Sequence, residues 1–381
     1  MKKVMIVFGT RPEAIKMAPL CHKFKEEEGI KTVICVTAQH REMLDQVLNI
    51  FNIVPDIDLN IMKKGQDLFD VTSSILTKMR DVLINESPDL VLVHGDTTTT
   101  FATSLACFYM GIKVGHVEAG LRTNDIKAPF PEEYNRQTTG ILSDYHFAPT
   151  ALSKSNLIDE GKNKENILVT GNTVIDSLHL VLNKINSDKS KHMAISERIN
   201  KLLQFQWEDT RFVLITGHRR ENFGQSFLDI CEAIKELAIK NKDTHFVYPV
   251  HLNPNVQEPV NKILYGLKNV WLIKPLEYEE FIFLLQYSYL VLTDSGGIQE
   301  EAPSLGKPVL VMRDVTERPE AVDAGTVKLV GASKNNIVKN IDLLLTNEEM
   351  YSKMALSHNP YGDGKACDKI VHFVKGELDG C

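Results

Sequence analysis

Three acidic residues stand where a parallel sheet would present them to a ligand. Asp96 follows the apolar run Leu90–Val93 within His94-Gly95-Asp96-Thr97-Thr98-Thr99-Thr100. Glu118 follows Lys113–Val117 within His116-Val117-Glu118-Ala119-Gly120, and Glu132 enters a helix from the proline-pinned stretch Pro129-Phe130-Pro131-Glu132-Glu133. Open α/β sheets bind ligands beyond the carboxyl ends of their strands. Carboxylates gathered there raise one another's pKa, which suits general acid–base work near neutral pH. Two of them have a plainer reading: Asp96 or Thr97 as a helix N-cap, Glu132 (with Glu133) as a favourable first-turn charge. They could instead hold a divalent metal, for which the sequence offers no supporting ligand spacing.

A second set of residues has the chemistry of anion binding. Gly9-Thr10-Arg11-Pro12-Glu13 directly follows the run Val4–Phe8, and Arg11 in such a turn could clamp a phosphate bidentately, unless it is a surface arginine in an ordinary loop. Thr216-Gly217-His218-Arg219-Arg220 combines anion recognition with a candidate proton carrier, His218. The most specific local signal is Thr293-Asp294-Ser295-Gly296-Gly297-Ile298-Gln299-Glu300-Glu301. A strand running through Ser-Gly-Gly into a helix offers backbone N–H groups and a positive helix end to a phosphate, and Glu301 one turn later is placed for a ribose. Arg313 and Arg318 add cations beyond the next strand. The chain lacks a Gly-x-Gly-x-x-Gly after a strand and a Gly-Lys-Ser/Thr loop, which argues against a dinucleotide dehydrogenase and a P-loop NTPase.

These residues need elements to hold them, and the chain alternates short β-branched runs with longer stretches of helical spacing. Strands are expected at Val4–Phe8, Thr32–Thr37, Leu90–His94, Lys113–Val117, Tyr145–Ala148 and Ile167–Thr170, with helices such as Ala14–Glu28 and Thr98–Tyr109 between them. The second half repeats the rhythm at Phe212–Thr216, Phe246–Val250, Val270–Ile273, Leu290–Thr293, Val309–Met312 and Val327–Val330. Such alternation predicts an α/β protein with two Rossmann-like doubly wound domains facing a cleft. The charged stretch Asn183–Lys191 reads as a connecting loop or exposed helix at the boundary. The helices around Glu348–Ala355 and Lys365–Val374 are candidates to cross back to the first domain.

Size and charge agree with this picture. At 381 residues the chain exceeds what one core usually supports. The net charge of -7 argues against a general nucleic-acid binder without excluding a local phosphate site. No window resembles a membrane span, and the apolar run after Lys2 and Lys3 is too short for a secretory core. The six cysteines are scattered without a CxxC pair, so a reducing, cytoplasmic setting is expected.

Taken in order, these blocks resemble the non-hydrolysing UDP-N-acetylglucosamine 2-epimerases. The resemblance runs from Gly9-Thr10-Arg11-Pro12-Glu13 through Thr37-Ala38-Gln39-His40-Arg41, the Asp96 and Glu118 blocks, Pro131-Glu132-Glu133, Gly171-Asn172-Thr173, Gly217-His218-Arg219-Arg220-Glu221 and Asp294–Glu301 to Thr316-Glu317-Arg318-Pro319-Glu320. It implies a glycosyltransferase-B-like fold with an N-terminal domain at 1–175, a UDP-binding domain at 176–359, and a C-terminal helix within 360–381 packing back on the first. It also implies a homodimer that needs no metal, nicotinamide or other cofactor and acts on UDP-N-acetylglucosamine and UDP-N-acetylmannosamine. Asp96, Glu118, Glu132 and His218 would be catalytic. Arg11, Lys16, Ser295, Gly296, Gly297, Glu301 and Arg318, with His218, would hold the UDP portion, and Leu276 and Phe281 would lie near the uracil. Gln39, His40 and Arg41 fit the neighbourhood of an activator site. Activated members carry glutamine where this chain has Glu42 and arginine near Gly65. Three other readings share parts of the pattern: a hydrolysing 2-epimerase, a retaining glycosyltransferase and a sugar-nucleotide sensor without turnover.

Overall fold

The computed structural model describes residues 1–39 and 41–380. Two compact units divide the chain: Met1–His179 together with the segment that starts at Tyr361, and Leu180–Pro360.

The first unit holds a seven-stranded sheet of β1 (Lys2–Phe8), β2 (Ile30–Val36), β3 (Ile57–Asp58), β4 (Leu90–His94), β5 (Lys113–Val117), β6 (Tyr145–Ala148) and β7 (Ile167–Val169). All neighbours are parallel, in the order β3-β2-β1-β4-β5-β6-β7. The second unit repeats the plan with β8 (Phe212–Thr216), β9 (His245–Pro249), β10 (Val270–Ile273), β11 (Leu290–Thr293), β12 (Val309–Val311) and β13 (Val327–Leu329), ordered β10-β9-β8-β11-β12-β13. Sheets of this kind are covered on both faces, which demands near-continuous apolar strands. Val4 through Phe8 and Phe212 through Ile215 meet that demand, with no exposed surface at all.

Both sheets reverse their strand order once, between β1 and β4 and between β8 and β11. Adjacent loops part at such a switch point and leave a crevice at the carboxyl ends of the strands. The Arg11 and Asp96 blocks flank the first switch point, and the His218 and Ser295 blocks flank the second. Two Rossmann-like units in one chain define the glycosyltransferase-B-like class.

The strand expectations hold to within two residues at either end. The two-residue β3 is too short to leave a periodic signal. The stretch Asn183–Lys191 is helical rather than a loop. Helix Thr173–Ser187 ends within it, and Asp188 accepts from the Ser190 and Lys191 amides at 2.9 and 3.1 Å to start helix Lys189–Leu202. Helix Glu348–Ala355 stays with the second unit, where Tyr351 stacks on Tyr289 at 4.2 Å. Helix Ala366–Asp379 packs on the first unit. Asp176 accepts from the Ala366 and Cys367 amides, and Phe373 stands edge-on to Tyr145 and Phe147 at 5.5 and 5.7 Å. No helix among the described residues is long and apolar enough to cross a membrane.

Candidate active site

The crevice of the first unit is built on a capping box. Thr10 accepts from the Glu13 amide, while the Glu13 carboxylate accepts from the Gly9 and Thr10 amides at 3.0 and 2.8 Å. Glu13 also accepts from Thr97 and Thr100 across the switch point at 2.6 and 3.3 Å. This buried carboxylate therefore ties the loop after β1 to the loop after β4. Gly9 has no alternative here, since a Cβ would lie 2.0 Å from the Thr37 hydroxyl. The threonine run is thus explained by what it binds. Thr97 caps helix Thr98–Met110, Thr99 bonds Thr37 at 2.9 Å, and Thr100 holds both Glu13 and the His94 carbonyl.

Above this base lies a cavity of about 550 Å³ lined by Thr10, Arg11, Gln39, Asp96, Glu132 and Asn135, among others. Asp96 and Glu132 are thereby brought to one space, with Arg11 at its rim. Asp96 pairs with Arg136 at 2.7 Å. Burial pushes the Asp96 carboxyl above the usual range, Arg136 and Lys16 pull it down, and Glu118 and Glu132 push it further up. A carboxyl raised in this way is suited to trading protons near neutral pH.

The neighbouring carboxylates divide their roles. Glu133 has no exposed surface and accepts from the Thr123 and Asn124 amides at 3.1 and 3.2 Å and from Gln137 at 2.8 Å. It fastens the loop that leads into the helix Glu132–Leu142, while Glu132 faces the cavity.

Glu118 sits at the end of β5 in the left-handed region, at φ 63°, a conformation that non-glycine residues adopt mainly where their surroundings enforce it. Its Oε2 is ion-paired with Lys16, accepts from the Asn172 side chain at 2.7 Å, and lies 3.7 Å from His94 Nε2. Lys16, expected to hold the UDP portion, stands here on a catalytic candidate. Burial lowers the His94 imidazole to about 4 and that of His116 to about 3, so both are neutral at physiological pH. His116 binds the Gly95 carbonyl at 2.7 Å, steadying the residue before Asp96.

Of the remaining expectations, Gln39 lines the same cavity. Arg41 turns to Asp58, Asp45 and Asn60, at 2.5, 3.2 and 3.1 Å. His40 lies outside the described residues.

In the second unit the organising group is Asp294, which is fully buried. It accepts from the His218 and Arg219 amides, both at 2.8 Å, and lies 3.6 Å from His218 Nδ1. This fixes the turn after β8 against the turn after β11. The His218 ring is about half exposed and stacks on His251 at 5.2 Å. Burial lowers its proton affinity, which Asp294 partly restores.

Gly296 leaves room for its neighbour: a Cβ there would lie 2.6 Å from Arg318 Nη1 and push the guanidinium aside. Arg318 donates to the buried Glu300 at 2.5 Å and to Glu317 at 2.8 Å. Arg313 and Arg219 also reach Glu317, at 2.8 and 3.8 Å. Burial tends to raise the Glu317 carboxyl, but Arg318, Arg313 and Arg219 outweigh it and hold it at about 2. The helix after Gly297 spans only Ile298–Glu301 before a 3-10 turn, so local amides and Arg318 outweigh any long-helix dipole at this site. Glu301 accepts from the Tyr278 hydroxyl at 2.9 Å. Leu276 precedes the helix Tyr278–Tyr287 and Phe281 lies in its first turn, both half-buried.

Glu13, Arg136, Asn172 and Glu317 went unassigned from the sequence. Only Glu13 carried a local signal, as the fourth residue of a Thr-x-x-Glu capping box.

The family model for UDP-N-acetylglucosamine 2-epimerase matches residues 22–375. The chain is 57% identical over 377 residues to the UDP-N-acetylglucosamine 2-epimerase of Campylobacter jejuni, covering 99% of this chain and 98% of that protein. It is 56% identical over 374 residues to the corresponding protein of Escherichia coli K12, covering 98% of each. Among solved structures, the UDP-GlcNAc 2-epimerase of Neisseria meningitidis bound to UDP-GlcNAc is 52% identical with a TM-score of 0.90, over 98% of this chain and all of that one. The chain belongs to the UDP-N-acetylglucosamine 2-epimerase family.

Proposed function

We propose that this chain interconverts UDP-N-acetylglucosamine and UDP-N-acetylmannosamine without releasing the sugar. The observation that carries this reading is the gathering of Asp96, Glu132 and Glu118 beside the first switch point, while cations and the His218 and Ser295–Gly297 turns occupy the second. The C2 proton has no adjacent carbonyl, so its removal must accompany departure of UDP from C1. A carboxylate takes the C2 proton as the C1–O bond breaks, its electron pair leaving with the diphosphate and a C1–C2 double bond forming. UDP oxygen then adds back to C1 while a proton arrives on the opposite face of C2. Two faces need two proton carriers, and Asp96 and Glu132 share one cavity. Arg318, His218 and the amides of Ser295, Gly296 and Gly297 stabilise the departing diphosphate.

The test is proton NMR with UDP-N-acetylglucosamine in D2O. UDP-N-acetylmannosamine with deuterium at C2 is expected. Free N-acetylmannosamine with UDP as the main products would assign a hydrolysing enzyme. An unchanged spectrum would leave a binding protein. The same reading includes a homodimer, supported by the apolar end of helix Thr98–Met110, where Phe108 and Tyr109 are 61% and 68% exposed. Light scattering that reports a monomer at micromolar concentration would remove that part.

A further inference from the structure

One block of the sequence resemblance, Gly171-Asn172-Thr173, has no part in the mechanism above. Its asparagine is nevertheless in direct contact with a proposed catalytic group. The Asn172 side chain is buried, and its Nδ2 donates to Glu118 Oε2 at 2.7 Å. Its Oδ1 accepts from the Val174 amide at 3.0 Å, opening helix Thr173–Ser187. Its backbone N–H donates to the Tyr361 carbonyl at 2.7 Å.

These three bonds place Asn172 at both joints of the chain. Helix Thr173–Ser187 carries the backbone out of the first unit after His179, and Tyr361 opens the segment that returns. Gly171 and Gly362 let the two strands of this joint meet, since a Cβ on Gly171 would lie 3.0 Å from the Tyr361 carbonyl oxygen and 3.2 Å from Gly362 Cα. A side chain anchored so firmly has little freedom to follow Glu118. The carboxylate must instead come to the amide, and Glu118 does so from a left-handed backbone at φ 63°.

We infer that Asn172 is a positioning residue for Glu118, holding one carboxylate oxygen at a fixed point of the crevice from the joint where the chain leaves and re-enters the first unit. The inference rests on the proposed epimerisation and adds to it a residue outside the proton-carrier and diphosphate-binding sets named above. A hydrogen-bond donor on the ionised carboxylate favours the charged form and fixes its direction. The other titratable groups facing Glu118 are Lys16 from the first helix and His94 and Asp96 from the end of β4, with Arg136 acting on Asp96.

The alternative is that Asn172 merely caps its helix. Asn172→Asp separates the two, because it keeps an oxygen for the Val174 amide and the backbone bond to Tyr361 but replaces the donor to Glu118 with a negatively charged acceptor. Wild type and variant are compared for deuterium wash-in at C2, for kcat and KM across pH, and for the melting temperature. With wild type active, the expected result is a kcat at least about tenfold lower in the variant at an unchanged KM. The limb of the pH profile that reports Glu118 moves up by about one unit, whether Glu118 serves as base or acid. The melting temperature stays within a few degrees. Asn172→Ser, which also lacks the amide donor, gives the same readout should Asn172→Asp not fold. A variant with the wild-type pH profile and kcat overturns the inference. Absence of wash-in by wild type itself overturns the epimerase reading instead, so the two failures are distinct.

Discussion

The two units share a strand order and a switch point, yet their crevices carry opposite chemistry. In the first, Asp96, Glu118 and Glu132 converge; Lys16 and Arg136 are committed to two of them, and Arg11 lines the same cavity. In the second, Arg318, Arg313 and Arg219 converge on Glu317, Arg318 also pairs with Glu300 and Arg313 with Glu221, and His218 stands half exposed nearby. The strand order that the six-stranded sheet shares with six strands of the other sets where ligands bind, and the few residues after each strand decide what binds there. In the proposed reaction the acidic crevice would handle protons and the basic one the leaving diphosphate, the division of labour that elimination of UDP requires.

The sharpest way to break this comparison is to silence one crevice and ask whether the other still works. Asp96→Asn and Glu132→Gln keep shape and remove a proton carrier, so each is expected to lower kcat about 10³-fold. UDP affinity, assigned by the proposal to the second unit, should stay within about threefold by calorimetry. Loss of UDP binding in either variant would mean that the crevices do not divide the work. Glu133→Gln supplies the contrast one residue away: Thr123 and Asn124 bond different carboxylate oxygens, so one of their amides is left facing the new NH2 group, and the variant's first effect is on stability.

The reverse experiment acts on the second crevice. Arg318→Ala removes the guanidinium paired with Glu300, which has no exposed surface, and is expected to cost about 3–5 kcal/mol of stability in urea denaturation. Gly296→Ala is milder and more informative. It pushes a methyl group against the Arg318 guanidinium, so UDP binding should weaken at least tenfold while the residue order of the turn is kept. Unchanged UDP affinity in Gly296→Ala would remove Arg318 and this turn from the diphosphate site.

Much of this was legible in the chain, for identifiable reasons. The strands could be placed because parallel strands buried on both faces are near-continuous apolar runs, and Val4–Phe8 or Leu290–Thr293 resemble little else. Asp96, Glu118 and Ser295 could be nominated because residues just past such strands are the ones a ligand meets. What stayed hidden are partnerships across long sequence separation. Nothing near Lys16 shows that it meets Glu118, 102 residues away, and nothing near Asp294 shows that its carboxylate holds the amides of His218 and Arg219. Glu132 and Glu133 look alike as letters, and only the fold of the 123–131 loop separates the one facing the cavity from the one holding the backbone.

The smallest expected effect concerns acid stability, where the two units should fail in different windows. In the first, burial holds His116 at about 3, below its usual 6.5, so the folded state prefers the neutral ring. The unfolded chain binds the proton first, and stability present above pH 6.5 is lost progressively down to about pH 3. In the second, Glu317 is held at about 2 against an ordinary 4.5, so its contribution is intact above pH 4.5 and is lost between there and about pH 2. Each contribution is on the order of 2 kcal/mol once shared among partners. Both tryptophans, Trp207 and Trp271, lie in the second unit, so their fluorescence in urea reads that unit, while hydrogen exchange of β4 and β5 reads the first. Glu317→Gln should narrow its gap from wild type in the fluorescence midpoint only below pH 4.5. His116→Gln should narrow its gap in exchange already between pH 6.5 and 5. If Glu317→Gln flattens the profile above pH 5, the arginines do not hold Glu317 as described, and the electrostatic contrast between the two crevices fails at its best-defined carboxylate.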